Sequence, residues 1–155
     1  MSAGDAIFLK VAPSGNIVSR LIGAAQLALG LGKGDATEYS HVAIDMGDGT
    51  LVEAYFPRAR RVAIGPRIAG CSVEWWGVLG ASDAQRQLAC EAAKDRVGEF
   101  YNILFLPWKW TDKRLEYCSQ LFNDCYEAAG IDLDDKDEIV SPDDLAGSGK
   151  LIRIK

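Results

Sequence analysis

Four cysteines, at positions 71, 90, 118 and 125, and a single histidine, His41, are the residues of this 155-residue chain with the most chemistry to offer. A thiol becomes a strong nucleophile when a nearby histidine or a helix N-terminus lowers its pKa. That histidine in turn needs a polar partner to fix its ring and stabilise its charged form. His41 is the only imidazole available and stands at the start of a predicted strand. Among the thiols, Cys118 in "EYCSQLFND" lies near the start of a predicted helix, where amide dipoles favour a thiolate. Cys90 and Cys125 fall inside predicted helices, seven or more residues from a plausible start, and read as core residues. Cys71 follows a glycine in a predicted loop, with nothing adjacent to activate it.

Two plainer readings stand beside the Cys118–His41 pair. Leu115, Cys118, Phe122, Cys125 and Ala129 fall on one helical stripe, which would make Cys118 a core residue. A lone histidine also often serves only as a hydrogen-bonded structural residue. A metal centre is not expected, because the cysteines form no CxxC pair and one histidine completes no zinc set. "GLGKGD" resembles a phosphate loop, but it follows a predicted helix and Gly34 stands where Ser or Thr would bind magnesium. "DLDDKDEIVSPD" (132–143) resembles a calcium loop, yet Asp137 occupies the glycine position and Asp143 replaces the bidentate glutamate. It reads as a solvated acidic turn, and no cofactor is called for.

The elements that must position these residues follow from periodicity. "GDAIFLKV" (4–11) reads as a strand and 13–29 as a helix, followed by a glycine-rich loop over 30–40. "HVAIDMGDGTLVEAYF" (41–56) is two alternating runs about Asp48-Gly49, a hairpin signal. "RRVAIG" and "SVEWWGVL" read as further strands, so one of Trp75 and Trp76 should face outward. "SDAQRQLACEAAKDRVG" (82–98) is a capped helix ending at a glycine. "FYNILFLPWKWTDK" (100–113) is aromatic-rich and irregular, "CSQLFNDCYEAAG" (118–130) is helical, and "KLIRIK" closes the chain as a strand. Segregated helices and strands predict an α+β fold around a mostly antiparallel sheet packed with helices, in one domain spanning 1–155.

The chain is 48% hydrophobic and 25% charged, an ordinary globular mixture. Its net charge of −5 argues against nucleic acid as the partner. "MSAGDAIFLKV" has neither a basic segment nor a long apolar run, so no signal peptide and no integral membrane segment is expected. The expected location is cytoplasmic as synthesised, with any export independent of a signal.

"SHVAIDMGDGTLVEA" (40–54) resembles the histidine hairpin of the NlpC/P60 cysteine hydrolases, and "YCSQLF" (117–122) resembles the motif that opens their central helix. In that family a second polar triad residue follows the histidine by 12 positions, which here is Glu53. The order His41, Glu53, Cys118 is reversed from the standard one and resembles the circularly permuted, papain-like branch of YiiX/YebB type. Two departures stand out. Standard members carry histidine, asparagine or glutamine where this chain has Glu53, and the helical pattern here runs upstream to Arg114.

The resemblance implies an amide hydrolase acting through a Cys118 acyl-enzyme, with His41 as general acid and base and Glu53 orienting it. Short peptides of peptidoglycan type, or other acylated small molecules, are the implied substrates. Tyr117 is a weak candidate for the oxyanion site, and Trp108 and Trp110 for lining a groove. Acyl transfer, cleavage of a lipid acyl-amide by the same triad, and a non-catalytic binding module are the alternatives. The hairpin poses a geometric condition. A two-residue Asp48-Gly49 turn would pair His41 with Phe56 and turn Glu53 to the other face. A bulge, a longer loop or strong coiling between Met46 and Glu53 is therefore expected.

Overall fold

Short apolar runs that are buried on both sides make the centre of the sheet. In the computed structural model, which describes residues 2–10, 38–55, 57–100, 118–133 and 141–155, β1 (Ala6–Lys10) lies between β2 (Tyr39–Asp45) and β5 (Val73–Val78). With β3 (Thr50–Glu53), β4 (Arg60–Ala63) and β6 (Leu151–Arg153) they form a six-stranded antiparallel sheet in the order β4-β3-β2-β1-β5-β6. Among the described residues four helices accompany it: α1 (Ile64–Ile68), α2 (Asp83–Asp95), α3 (Cys118–Ala128) and α4 (Pro142–Gly147). The fold is α+β, as expected. The predicted helix 13–29, the glycine-rich stretch through residue 37, the aromatic segment with Trp108 and Trp110, the helical extension to Arg114, and Tyr117 lie outside the described residues.

Period-2 alternation splits the strands between two cores. Ala6, Phe8, Val42, Ile44 and Val52 join the larger cluster, with Cys90 of α2 and Leu121, Phe122, Cys125 and Tyr126 of α3. Ile7, Leu9, Ala43, Leu51 and Trp75 face the other way, against Ile64 and Ile68 of α1. Both faces are thus covered, and that corrects the expectation for the tryptophans. Trp75 is buried in the smaller core, while Trp76 is partly buried against the larger one, edge-on to Phe8 at 5.7 Å. "RRVAIG" is also corrected, since its strand stops at Ala63 and α1 begins at Ile64.

The helices that abut the site are fixed locally. Ser82 caps α2 through a capping box with Gln85, and small buried residues, Ala89, Cys90 and Ala93, form its inner face. In α3, Phe122 and Tyr126 are fully buried, and the Tyr126 hydroxyl donates to the Gly4 carbonyl at 2.7 Å. Each such side chain contributes about 1.5–3 kcal/mol through burial. α4 starts with a Ser141–Asp144 capping box and Pro142 at its first turn. Asp143 beside it is no free solvated acid: its Oδ1 accepts the backbone N–H of Glu38 and of Tyr39, each at 3.1 Å. That contact fixes the entry to β2 two residues before His41.

Candidate active site

Three backbone features set His41. Leu9 pairs with His41 and Lys10 with Tyr39, so Ser40 is the extra residue of an irregularity just ahead of the histidine. Asp143 anchors the strand entry, as described above. Alternation then puts His41 on the same face as Ala43, beneath α1.

The hairpin that follows brings Glu53 onto that face. Ile44 pairs with Val52 and Asp45 with Leu51, and the Met46 N–H donates to the Thr50 carbonyl at 2.9 Å. The loop is therefore Gly47-Asp48-Gly49, three residues rather than two. Gly47 (φ +77°) and Gly49 (φ +83°) adopt the left-handed conformation that glycine tolerates. Asp45 Oδ1 accepts from the Gly47 N–H at 2.8 Å, and Asp48 Oδ1 from the Thr50 N–H at 3.1 Å. The extra residue shifts the register by one, so His41 and Glu53 become diagonal neighbours on one face. The longer loop that the sequence required is present.

Glu53 Oε2 and His41 Nε2 lie 2.7 Å apart, with Glu53 fully buried and His41 7% exposed. Two residues that sequence reasoning missed complete the carboxylate's surroundings. Arg60 Nε and Nη2 donate to Glu53 Oε1 at 2.9 and 2.7 Å. Arg67 Nε donates to Oε1 and Oε2 at 2.8 and 2.7 Å. Burial alone would raise the Glu53 carboxyl; the His41 and Arg67 contacts more than offset it and hold it well below the usual carboxylate range. Arg60 was findable, because the β3–β4 ladder sets it directly opposite Glu53. Arg67 sits on a five-residue helix that no periodicity announces.

Cys118 approaches from the other core. It is the first described residue of α3, is 4% exposed, and shares the buried stripe with Phe122, Cys125 and Ala129. The stripe and the His41 contact thus coexist. Burial would push the thiol up, but the His41 charge and hydrogen bond, with the amides of Val42 and Ser119, lower it. Burial also opposes charge on His41. The Cys118 thiolate and then Glu53 overcome that and push His41 up to about 9. The two directions agree: the site favours thiolate and imidazolium together. Because Nε2 is engaged by Glu53, Nδ1 is the ring nitrogen left for the sulfur.

The other thiols contrast with it. Burial pushes Cys125 up to about 12 and also raises Cys90, while Cys71 is exposed. Of the candidates from the sequence, the structure brings together His41, Glu53 and Cys118. Such an arrangement can add a sulfur to a carbonyl carbon and pass a proton to the departing group.

This combination of a permuted order, an antiparallel sheet and a thiol–imidazole–carboxylate line is that of papain-like thiol enzymes. The chain belongs to the permuted papain-like amidase family, YaeF/YiiX, C92, whose model matches residues 1–146. The match is to the permuted branch rather than to a family carrying the broader NlpC/P60 name. Among solved structures, the fold is similar to metalloprotein YiiX from Escherichia coli O157:H7, with a TM-score of 0.71 and 19% identity over 99% of this chain and 96% of that one. No curated protein sequence matches closely enough to serve as a relative. Among the described residues of this chain, no group of three or more His, Cys, Asp or Glu side chains is arranged to hold a metal ion. Nor is any described helix long and apolar enough to cross a membrane.

Proposed function

We propose that the 1–155 chain acts as one cysteine amidase domain with Cys118 as nucleophile, His41 as general acid and base, and Glu53 as the residue that orients His41. The observation that carries this reading is the continuous line from Glu53 through His41 to a thiol whose pKa is lowered despite burial. In the first step the Cys118 thiolate attacks the amide carbonyl. The C–N bond then breaks, the amine leaves with the proton from His41 Nδ1, and a thioester stays on Cys118. In the second step His41, now neutral, takes a proton from water as the water attacks the thioester; the C–S bond breaks, the acid product leaves and the thiolate–imidazolium pair is restored. The Cys118 N–H is the first oxyanion donor in this scheme. Arg60 and Arg67 hold the Glu53 carboxylate in place, so they act through Glu53 rather than on substrate.

The proposed substrate is a short peptide amide of the kind found in peptidoglycan, a reading supported by the resemblance of the two motifs. Digestion of purified peptidoglycan by wild type and by Cys118→Ala, with soluble products read by mass spectrometry, tests it. Product from wild type alone is expected, and equal product from both proteins would overturn the role of Cys118. Repeating the digestion with an added primary amine separates hydrolysis from acyl transfer, because transfer adds the mass of the amine to the acyl fragment.

A further inference from the structure

Glu53 is saturated as an acceptor. A carboxylate offers about four lone-pair sites, and Glu53 already receives His41, two donors of Arg60 and the Nε of Arg67 across both oxygens. Arg67 therefore engages it through Nε only, and its two terminal Nη groups have no hydrogen-bond partner among the described residues. The charges do not balance either, since two guanidiniums share one carboxylate. The other two arginines of the segment are engaged elsewhere: Arg61 pairs with Asp48, and Arg58 donates to the Gly98 carbonyl and lies over the Phe100 ring. One positive charge is left over, on a side chain that is only 17% exposed.

This excess borders a cleft of about 350 Å³ between β4 and α1, lined by Tyr55, Arg60, Val62, Ala63, Pro66 and Arg67. Tyr55 lies under both guanidiniums, 3.7 Å from Arg60 and 5.7 Å from Arg67. Val62, Ala63 and Pro66 give the cleft apolar walls. We propose that this cleft is a binding site for a small monocarboxylate with a short apolar body, of amino-acid or dipeptide size. A planar carboxylate takes two parallel N–H donors from one guanidinium edge, and the Arg67 Nη pair offers such an edge. One leftover charge matches a monoanion, whereas a phosphate dianion would leave one negative charge without a partner. The volume sits at the low end of small-molecule sites. The cleft shares Arg60 and Arg67 with the surroundings of Glu53 but has neither Cys118 nor His41 in its lining, and its assignment does not rest on the amidase reading.

The test uses the wild-type chain and follows the arginine Nε–Hε resonances by NMR during titration with N-acetylalanine, its neutral amide N-acetylalaninamide, or inorganic phosphate. A saturable shift of Arg67 with N-acetylalanine and none with the amide is expected. Ala63→Glu, which sets a like charge on the exposed wall of the cleft, should weaken binding by about tenfold or more, while Ala63→Gln should change it by less than about threefold. Pro66→Glu supplies a second placement of the same charge should Ala63→Glu fail to fold. The assignment is overturned if N-acetylalanine gives no saturable response, if the amide binds as well, or if both Glu variants bind as wild type does. Tighter binding of phosphate than of N-acetylalanine overturns the choice of a carboxylate.

Discussion

Replacing Glu53 by Gln keeps the size and one oxygen acceptor but removes a fully buried negative charge that lies 2.7 Å from His41 Nε2. In the native site the His41 pKa rises from 6.5 to about 9 against the opposing effect of burial. That net difference corresponds to about 3 kcal/mol in favour of the imidazolium. A charge-assisted hydrogen bond contributes roughly 1.5–3 kcal/mol of it, so the Gln variant should lower the His41 midpoint by about one to two pH units. Arg60 and Arg67 lose their counter-charge in the same variant, which pushes the midpoint in the same direction. Since His41 is the only histidine in the chain, its ring nitrogens can be followed by NMR without assignment work. The thiol and the ring titrate as a pair, and repeating the comparison in a Cys118→Ala background isolates the part due to Glu53. A midpoint that does not move in either background would refute the claim that Glu53 stabilises the imidazolium.

Other outcomes follow from the same geometry. Amide cleavage needs imidazolium as the acid, so kcat/KM should fall as pH rises through about 9, where His41 loses its proton. A pH–rate profile with its basic limb near the ordinary histidine value would contradict this. Glu53 is held below its ordinary 4.5 in the folded chain, so its contribution to stability is present above that pH and is lost progressively below it. Urea midpoints of the wild type should therefore drop more steeply than those of Glu53→Gln as pH falls below about 4.5. Gly47→Ala and Gly49→Ala should both cost about 1–2 kcal/mol for the left-handed conformation. Gly47→Ala should cost more, because the added Cβ would meet Ala3 Cβ at 2.8 Å while Gly49 borders open space. The thermal midpoint reports the difference at roughly 2–4 °C per kcal/mol.

The sheet was legible because strands buried on one or both faces leave unbroken or alternating apolar runs, as in "AIFL" and "HVAI". The capping residue of α2 and the glycine end of α3 were legible for local reasons of the same kind. Residue chemistry pointed to Cys118 and His41, and the resemblance in order and spacing to a known family added Glu53, although the apolar stripe on α3 could not by itself separate a buried nucleophile from a core cysteine. The register of the hairpin was legible only as a condition, since one residue more or less in the loop decides which face Glu53 occupies. Arg67 and Asp143 were not legible. Each acts over a long sequence separation through tertiary placement, and Asp143 sits in an acidic stretch that composition alone makes look solvated. The outward tryptophan was misjudged because a sheet covered on both faces gives adjacent residues no wet side.

The central claim is that Cys118 and His41 form a thiolate–imidazolium pair. The direct measurement is the thiolate ultraviolet absorbance of wild type minus that of Cys118→Ala, followed across pH. A difference signal that persists below the ordinary thiol range, and that moves upward in His41→Ala, is the predicted result. A signal that appears only near the ordinary thiol value of about 8.5, and is the same with or without His41, would contradict it.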